Sequence, residues 1–503
     1  MESAGRSASV RQVLAYRACD RFSGWLICFM VVFSPWAFGT TQSWAIWTMN
    51  VTGYVLGTML LFKLWLRFRF NYRPARWNSD EIQSDTQRTR QFAVLALAVL
   101  TSAILAYCLI AALNARSTYD GRQQIFIYHE HLSWLPHSYD QTRTWQTFFN
   151  LVALALFFWA TRDWLLGLTP DEERANRAHS EDPSYRRPLP ARLRRLLWIL
   201  CLNGALLGAQ GMAQRLSGTN QLLWFQETRL NKSAEAQFGP YAYRSNAAQY
   251  FGMVWPVGLA FWWMLRREAR RTRETTAGFR RTRHHWLLPC VGVMAACPII
   301  SLSRAGALVT MGMILLASMI FLLAWRRRHP SVRFGIVLFF ALVFALGAYF
   351  GWDQFSERMK QFDEGLELRE KMYETARLIT HDYPLFGTGP GTFEPVFQLY
   401  RASTDEYWPA QLHNDWLETR ITFGWLGSAL IGAALLIVLG RWFVPGGLEV
   451  RWPVPALLWL SVAGCLVHAR YDFPFQVYSL QVLFLLVCVL LMLFSRRPAP
   501  SAR

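Results

Sequence analysis

Long apolar runs, separated by shorter polar stretches, dominate the sequence. A transmembrane helix needs roughly 20 mostly apolar residues to cross the hydrocarbon core of a bilayer. Runs that approach this length span residues 22–40, 44–66, 92–113, 147–166, 195–212, 247–265, 286–303, 305–325, 333–351, 421–440, 453–469 and 476–494. The pattern predicts an all-α, polytopic integral membrane protein with about twelve transmembrane helices.

Charge is distributed unevenly between these runs. The 503 residues carry 52 Lys and Arg against 33 Asp and Glu, a net charge of +19. If the N-terminus lies inside and the segments alternate, the inner segments hold 36 of the basic residues and 14 of the acidic ones. Because Lys and Arg in short loops are retained in the cytoplasm, both termini are predicted to be cytoplasmic.

The composition also excludes several classes of protein. A net charge of +19 would suggest a nucleic-acid partner for a soluble protein, but 53% of the residues are hydrophobic and 15% are aromatic. No nucleic-acid partner is therefore expected, and the inner basic loops are expected to face anionic membrane lipids. None of the eight cysteines falls in an outer segment, and the sequence has no CxxC motif or His/Cys cluster, so neither a disulfide framework nor a metal site is expected.

Three outer segments are longer than simple connections require: 114–146, 213–246 and 352–420. In the last one, charged and apolar residues alternate at helical spacing over 364–379, which predicts a helix on the membrane surface. Tyr383-Pro384 ends that pattern, and a glycine-rich stretch follows at 387–391. This stretch fits neither a P-loop nor a dinucleotide-binding fingerprint, so by itself it predicts a turn before a helix.

Polar side chains at membrane depth are costly and point to function. Four such places occur in outer positions, and their central residues are Arg244, Arg304, His413 and the pair Arg470 and Asp472. A helix cap or a salt bridge would explain any one of them alone. All four, however, are predicted at the same side and depth of the membrane, which favours a common site.

Convergent arginines with a histidine suit one particular chemistry. The planar guanidinium binds diphosphate through two parallel hydrogen bonds, and it stabilises the charge of a departing diphosphate. A histidine can take a proton from an attacking hydroxyl group near neutral pH. Since no nucleotide sugar is expected outside the cytoplasm, the natural donor is a lipid-linked diphospho-sugar.

Four elements of the chain resemble, in order, those of the O-antigen ligase/polymerase superfamily. They are Ser303-Arg304-Ala305-Gly306, the loop from Pro384 to Phe393, the stretch His413-Asn414-Asp415-Trp416-Leu417-Glu418, and His468 with Asp472-Phe473-Pro474. A looser match lies at 238–247, where the family often has Asn-Arg-Asn and this chain reads Tyr243-Arg244-Ser245-Asn246. The resemblance covers roughly residues 195–495; the first four spans are not diagnostic.

The resemblance implies a metal-independent, inverting glycosyltransferase of the GT-C-like membrane type, without a cofactor. Its donor would be a glycan on undecaprenyl diphosphate, and its acceptor a hydroxyl of lipid A-core or another glycan. By position, Arg304 would bind the diphosphate and His413 would activate the acceptor. Arg244 would be the second catalytic arginine, with Arg215 as its competitor. Further substrate-binding candidates are Arg377, Gly389, Asn414, Glu418, His468 and Asp472, although Asn414 and Glu418 could equally cap a helix.

The resemblance also implies a bacterial inner-membrane location with the site on the periplasmic side. The predicted organisation is a cytoplasmic N-terminus (1–21), transmembrane helices one to nine (22–351), a periplasmic catalytic loop (352–420), transmembrane helices ten to twelve (421–494) and a cytoplasmic tail (495–503). The membrane lipids around these helices are an expected partner.

Two alternatives stay open from the sequence. A polymerase that joins one lipid-linked repeat to another uses the same chemistry, and ligation to protein or an exopolysaccharide role fits as well. A different class, the twelve-helix secondary transporter, would use the basic segment 266–285 as its central loop. Against the transporter, the two halves show no internal symmetry, and the longest loop lies outside, between spans nine and ten.

Overall fold

The structure, a computed structural model, describes residues 9–77, 84–179, 188–228, 231–271, 283–325, 362–401, 410–444 and 447–496, and five positions between 338 and 345. Its helices are α1 (Val10–Trp36), α2 (Ser43–Arg69), α3 (Ser84–Leu113), α4 (Gln141–Leu166), α5 (Pro170–Ala178), α6 (Ala191–Leu216), α7 (Arg244–Arg271), α8 (Leu287–Ile300), α9 (Arg304–Ala324), α10 (Phe362–Asp382), α11 (Phe393–Phe397), α12 (Asp415–Gly440), α13 (Pro453–His468) and α14 (Tyr478–Leu493). Strands are few: β1 (Ser117–Asp120) and β2 (Ile125–Tyr128) form an antiparallel hairpin, and β3 (Leu448–Glu449) pairs in parallel with β4 (Phe494–Ser495).

The helices confirm a multi-pass membrane protein. Within the described ranges, six helices are long and apolar enough to cross a membrane: Ser43–Arg69, Gln91–Leu113, Gln141–Leu166, Ala191–Leu216, Arg304–Ala324 and Asp415–Phe443. Three shorter apolar helices match further predicted spans: His284–Ile300, Pro453–His468 and Tyr478–Leu493. The spans predicted at 22–40 and 247–265 fall on α1 and α7, which extend beyond them into polar sequence. Most of the span predicted at 333–351 lies outside the described residues, and the count of twelve stays a prediction.

Helix α7 lies at the centre of the bundle. It packs against α6, α8, α9, α13 and α14, and its apolar side chains Trp255 and Phe261 are fully buried. A second, smaller core joins α10, α11 and the start of α12, and contains Tyr373, Ile379 and Ile421. This second core holds α10, the helix predicted from the spacing at 364–379, over one end of the bundle.

Buried charges connect helices α1, α2, α4 and α6. Lys63 of α2 is fully buried, and its Nζ lies 3.0 Å from Asp20 Oδ1 and 2.8 Å from Asp163 Oδ2. Arginines form salt bridges with both carboxylates: Arg192 lies 2.6 Å from Asp20, and Arg67 and Arg76 lie 2.7 and 2.5 Å from Asp163. Since each charge in this cluster has an opposite charge beside it, the cluster offsets the cost of burial and fixes how these helices meet.

The replacement Lys63→Met is expected to destabilise the protein strongly. Methionine fills the space but leaves Asp20 and Asp163 each short of one positive partner, and a broken buried pair costs about 3 kcal/mol. Unfolding of the purified protein in detergent micelles measures the effect. Arg174→Ala is the matched control, because Arg174 pairs with Asp171 where both side chains are 78% or more exposed. An unchanged unfolding midpoint for Lys63→Met would show that the cluster contributes nothing to stability.

Candidate active site

A cavity of about 630 Å³ opens where α7, α9, α10 and α13 approach one another. One part of its wall is polar and contains Tyr243, Arg244, Ser303, Arg304, Arg369 and Asp472. The other part is apolar and follows α9 and α13, through Leu308, Gly312, Met313, Leu316, Leu460 and Val467. Leu308 and Leu316 are each 47% exposed, so the apolar part reaches the outer surface of the bundle. The cavity therefore combines a cationic end with an apolar wall roughly 18 Å long, from residue 304 to residue 316 of α9.

Two of the arginines begin the helices that form the cationic end. Arg244 is the first residue of α7, and Arg304 is the first residue of α9. The side chain of Ser303 caps α9 by accepting from the Gly306 N–H at 3.1 Å, and its hydroxyl lies 2.9 Å from that of Ser245. Because helix N-termini carry partial positive charge, both helix starts add to the attraction for an anion.

Glycine brings these two helix starts together. A Cβ atom on Gly306 would lie 2.4 Å from the Cβ of Ala248 in α7, far closer than packed atoms approach. Gly306, two residues after Arg304, thus permits the close contact of α9 with α7 that places both arginines on one cavity.

The third arginine comes from outside the bundle. Arg369 lies in α10 and lines the same cavity, where it donates from Nη1 to the carbonyl of Tyr471 at 2.8 Å. No motif in the sequence marks Arg369. Arg369, Lys371 and Arg377 are three similar cations on one predicted helix, and helical spacing alone does not indicate which of them faces a site. The structure decides: Lys371 and Arg377 are exposed, and Arg369 is partly buried.

His413 and Asp472 form a hydrogen-bonded pair beside the cavity. The Nδ1 atom of His413 lies 3.2 Å from Asp472 Oδ1, and the hydroxyl of Tyr243 donates to Asp472 Oδ2 at 3.4 Å. Phe473 packs on both rings, with centroid distances of 4.8 Å to His413 and 5.5 Å to Tyr243. Tyr243 and Asp472 both line the cavity, so the pair has direct contact with its polar wall.

The environment of Asp472 determines which nitrogen of His413 carries the proton. Burial by itself would raise the pKa of Asp472, but the hydrogen bond and charge of His413, with the charge of His468, lower it below its ordinary value. The carboxylate is thus ionised at neutral pH and can only accept. In the neutral imidazole of His413 the Nδ1 atom is therefore the donor, and the Nε2 lone pair is then the proton acceptor.

The backbone at His413 is held in an unusual conformation by its neighbours. Its φ is +57°, in the left-handed region that costs a residue with a Cβ roughly 1 kcal/mol or more. The hydroxyl of Tyr373 donates to the His413 carbonyl at 2.9 Å. The residues on either side are buried, Leu412 before it and Asn414 after it. This strain is retained because the surrounding contacts fix the imidazole beside Asp472.

Residues that follow His413 fix its own segment, and one of them also holds the loop that carries Asp472. Asn414 caps α12, and its Oδ1 accepts from the Leu417 N–H at 3.2 Å. Glu418 accepts from the Leu412 N–H at 2.9 Å. Asp415, which the sequence analysis did not single out, accepts from the Phe475 N–H at 2.7 Å and donates its own N–H to the Ala469 carbonyl at 2.8 Å. Asn414 and Glu418 therefore act as cap and brace in this structure, while their substrate contacts stay predictions.

The glycine-rich loop packs against α12. The N–H groups of Thr388 and Gly389 donate to the carbonyls of Ile421 and Thr422 at 2.8 and 3.0 Å. Gly387 and Gly424 both have positive φ, and a Cβ on Gly424 would lie 2.3 Å from the Leu385 carbonyl oxygen. The turn predicted here, followed by the short helix α11, is confirmed. The N–H of Gly389 serves this packing, and its contact with substrate stays a prediction.

The remaining predicted residues lie in different surroundings. Arg215, at the end of α6, donates to the backbone carbonyls of Ala234, Glu235, Gln237 and Ser301. Arg377 forms a 3.0 Å salt bridge with Glu370 on the exposed side of α10. His468 is buried at the end of α13. Arg304, Arg244 and Asp472 are thus the predicted residues that line one cavity, with His413 bonded to Asp472 beside it.

Comparison with known proteins gives a match to one part of the chain. Residues 289–432 match the family model described as O-Antigen ligase, a segment that includes Arg304, Arg369, the glycine-rich loop and His413. No curated protein and no solved structure matches the chain. The protein is a membrane enzyme of the glycosyltransferase type. Over residues 289–432 the chain is similar to the O-antigen ligase family, a similarity that implies a lipid-linked glycan donor and a glycan or lipid acceptor in general.

Proposed function

We propose that this protein transfers a glycan from undecaprenyl diphosphate to a hydroxyl of lipid A-core or a similar acceptor. One observation carries the proposal: a single cavity is lined by arginines, by an apolar wall and by Asp472. The carboxylate of Asp472 is in turn hydrogen-bonded to His413. Arginines match the diphosphate, and an apolar wall that reaches the bundle surface matches the polyprenyl chain. The family match favours this enzyme over a secondary transporter.

The reaction is a displacement at the anomeric carbon of the donor sugar. The acceptor hydroxyl gives its proton to His413 Nε2 as its oxygen forms the new glycosidic bond. The bond from the anomeric carbon to the phosphate oxygen breaks, and the electron pair leaves on undecaprenyl diphosphate. Arg304 and Arg244 stabilise that leaving charge, so the mechanism needs no metal ion. Attack opposite the leaving group inverts the anomeric configuration.

We place the site at the periplasmic face of the bacterial inner membrane, with both termini in the cytoplasm and twelve helices in total. Helix α6 supports this orientation, because Arg192 in its first turn belongs to the buried charge cluster and Arg215 in its last turn bonds to the carbonyl of Ser301. At 1.5 Å per residue the two arginines are roughly 35 Å apart, more than the thickness of the hydrocarbon core. The cluster and the cavity thus lie near opposite faces, and the basic inner loops assign the cluster to the cytoplasmic one.

Reconstitution tests this function directly. The purified protein in proteoliposomes would receive an undecaprenyl-diphosphate-linked glycan together with lipid A-core, and the products would be separated on a gel. A ligase yields one glycan chain on lipid A-core. A polymerase yields a ladder of longer lipid-linked glycans without any acceptor, and that result would replace the ligase assignment. The absence of both products would contradict glycosyl transfer.

Asp472→Asn is expected to reduce the turnover number by about 100-fold or more. The amide can donate to Nδ1 and so favours the tautomer with the proton on Nε2, which cannot accept a proton from the acceptor. Turnover in the proteoliposome assay measures the loss. Asp120→Asn is the control, because Asp120 is the last residue of β1, in the hairpin, and accepts from the Arg122 N–H. Equal turnover for Asp472→Asn and the wild type would remove the orienting role of Asp472.

A further inference from the structure

Arg369 reaches the cationic end of the cavity from α10, a helix that lies outside the bundle. We infer that Arg369 is a third phosphate-binding residue, which α10 supplies to the polyprenyl diphosphate beside Arg244 and Arg304. The inference rests on the proposed function, since it assigns the diphosphate of that donor to this cavity. It adds a substrate-binding residue that neither the motifs nor the spacing indicate.

Position supports this role. Arg244, Arg304 and Arg369 line the same cavity from three different helices, and the side chain of Asp472 is the acidic one among the lining residues. A diphosphate diester carries two negative charges, and its oxygens are spread over two phosphorus atoms. Three guanidinium groups from three helices can contact both phosphate groups. Arg244 and Arg304 alone begin two neighbouring helices and would contact the diphosphate from one side.

The contacts of Arg369 differ from those of the other cations on α10. It uses Nη1 on the Tyr471 carbonyl, and a guanidinium has five N–H groups in a fixed planar arrangement. Arg377 bonds instead to Glu370 on the exposed side of the helix, and Lys371 is exposed. Arg369 is thus the cation of α10 that the fold brings to the cavity.

The bond to Tyr471 links the phosphate site to the proton acceptor. Tyr471 directly precedes Asp472, whose carboxylate orients His413. Arg470 lies over the ring of Tyr373, 5.5 Å from its centroid, so α10 holds this turn at a second point. A phosphate that fixes Arg369 thereby also fixes the backbone next to Asp472, and donor binding positions the base.

Binding of lipid probes to the full-length protein in nanodiscs tests the inference. The probes are undecaprenyl diphosphate and undecaprenyl monophosphate, and dissociation constants would be measured by native mass spectrometry. Arg369→Ala is expected to weaken binding of the diphosphate lipid by about 10- to 100-fold, the usual value of a hydrogen bond to a charged group. The preference of the Arg369→Ala variant for the diphosphate lipid over the monophosphate lipid should also fall. Arg369→Lys should restore only part of the affinity for the diphosphate lipid.

Two further variants separate binding from folding. Arg369→Gln keeps an N–H donor for the Tyr471 carbonyl but has no charge, so it should bind nearly as weakly as Arg369→Ala while the fold is retained. Lys371→Ala removes an exposed cation two positions along α10 and should bind as the wild type does. Wild-type affinity and wild-type diphosphate preference in both Arg369→Ala and Arg369→Gln would overturn the inference.

The outcomes also distinguish this inference from the proposed function. Wild-type protein that binds the diphosphate lipid but forms no glycan product would contradict the function and leave the role of Arg369 supported. Glycan transfer by the wild type, with undiminished binding in the Arg369 variants, would overturn the role of Arg369 alone. Failure of the wild type to prefer the diphosphate lipid would overturn the role as well.

Discussion

Replacement of His413 by alanine is expected to abolish glycan transfer while the protein still inserts and folds. Its Nδ1 bonds to Asp472, so in the proposed reaction Nε2 is the nitrogen that would take the proton of the acceptor hydroxyl. A positioned base contributes about 100- to 10,000-fold, and a sugar hydroxyl is a weak nucleophile without one. Product formation in proteoliposomes, read on a gel at saturating donor and acceptor, measures the loss.

Two companion variants control for the backbone and for charge. Since His413 has a φ of +57°, and asparagine enters the left-handed region more readily than alanine, His413→Asn relieves strain but supplies no base. It should be as inactive as His413→Ala and at least as stable. His381→Ala removes a histidine of α10 that is 91% exposed and should leave transfer unchanged. Full activity in both His413 variants would eliminate this residue as the base.

Arg304→Ala is expected to reduce the rate of glycan transfer by about 100- to 1,000-fold. Removal of one preorganised hydrogen-bond donor to a developing anion lowers the turnover of other enzymes by a similar factor. Arg304→Lys should recover only part of this loss, because a single ammonium group lacks the planar, two-point arrangement that matches phosphate. The ratio kcat/KM for the undecaprenyl-linked donor is the measurement. The effect should appear in kcat as well as in KM, since the negative charge on the leaving group grows in the transition state.

The fold should tolerate these substitutions at Arg304. The Ser303 side chain caps α9, and the close contact with Ala248 of α7 is made at Gly306. Both features stay in place when the side chain at position 304 changes. Arg122→Ala, in the exposed turn of the β1–β2 hairpin, is the matched loss of an arginine away from the cavity. A kcat/KM for Arg304→Lys equal to that of the wild type would show that charge alone is required there.

Local sequence was sufficient for several features of the fold. The apolar runs predicted α2, α4, α6 and α9, because the length of an apolar stretch and the small number of charges within it decide whether a helix can span a bilayer. The helix at 364–379 and its end before Pro384 also followed from local pattern, since α10 ends at Asp382. Helix ends were less accurate: α1 begins at Val10, twelve residues before the apolar run at 22–40.

Motifs identified part of the candidate site, and the fold supplied the rest. Arg304 and His413 stand within short patterns that resemble those of the superfamily, so a single sequence was enough to single them out. The sequence favoured Arg244 over Arg215 only through a loose match to the family pattern, because both are arginines in outer segments near a helix end. The structure places Arg244 on the cavity and directs Arg215 to four backbone carbonyls; which of the two binds diphosphate is a prediction for the assays above.

The sequence by itself thus determined that this is a multi-pass membrane protein with motifs that resemble those of the O-antigen ligase superfamily, because apolar length and short motifs are local properties of the chain. Only the tertiary structure decided that His413 pairs with Asp472, 59 positions further on, and that Arg369 of α10 shares a cavity with Arg244 and Arg304. These contacts depend on how α7, α9, α10 and α13 pack. That packing is set by small residues at close helix crossings and by hydrogen bonds between distant loops, neither of which leaves a periodic pattern in the sequence.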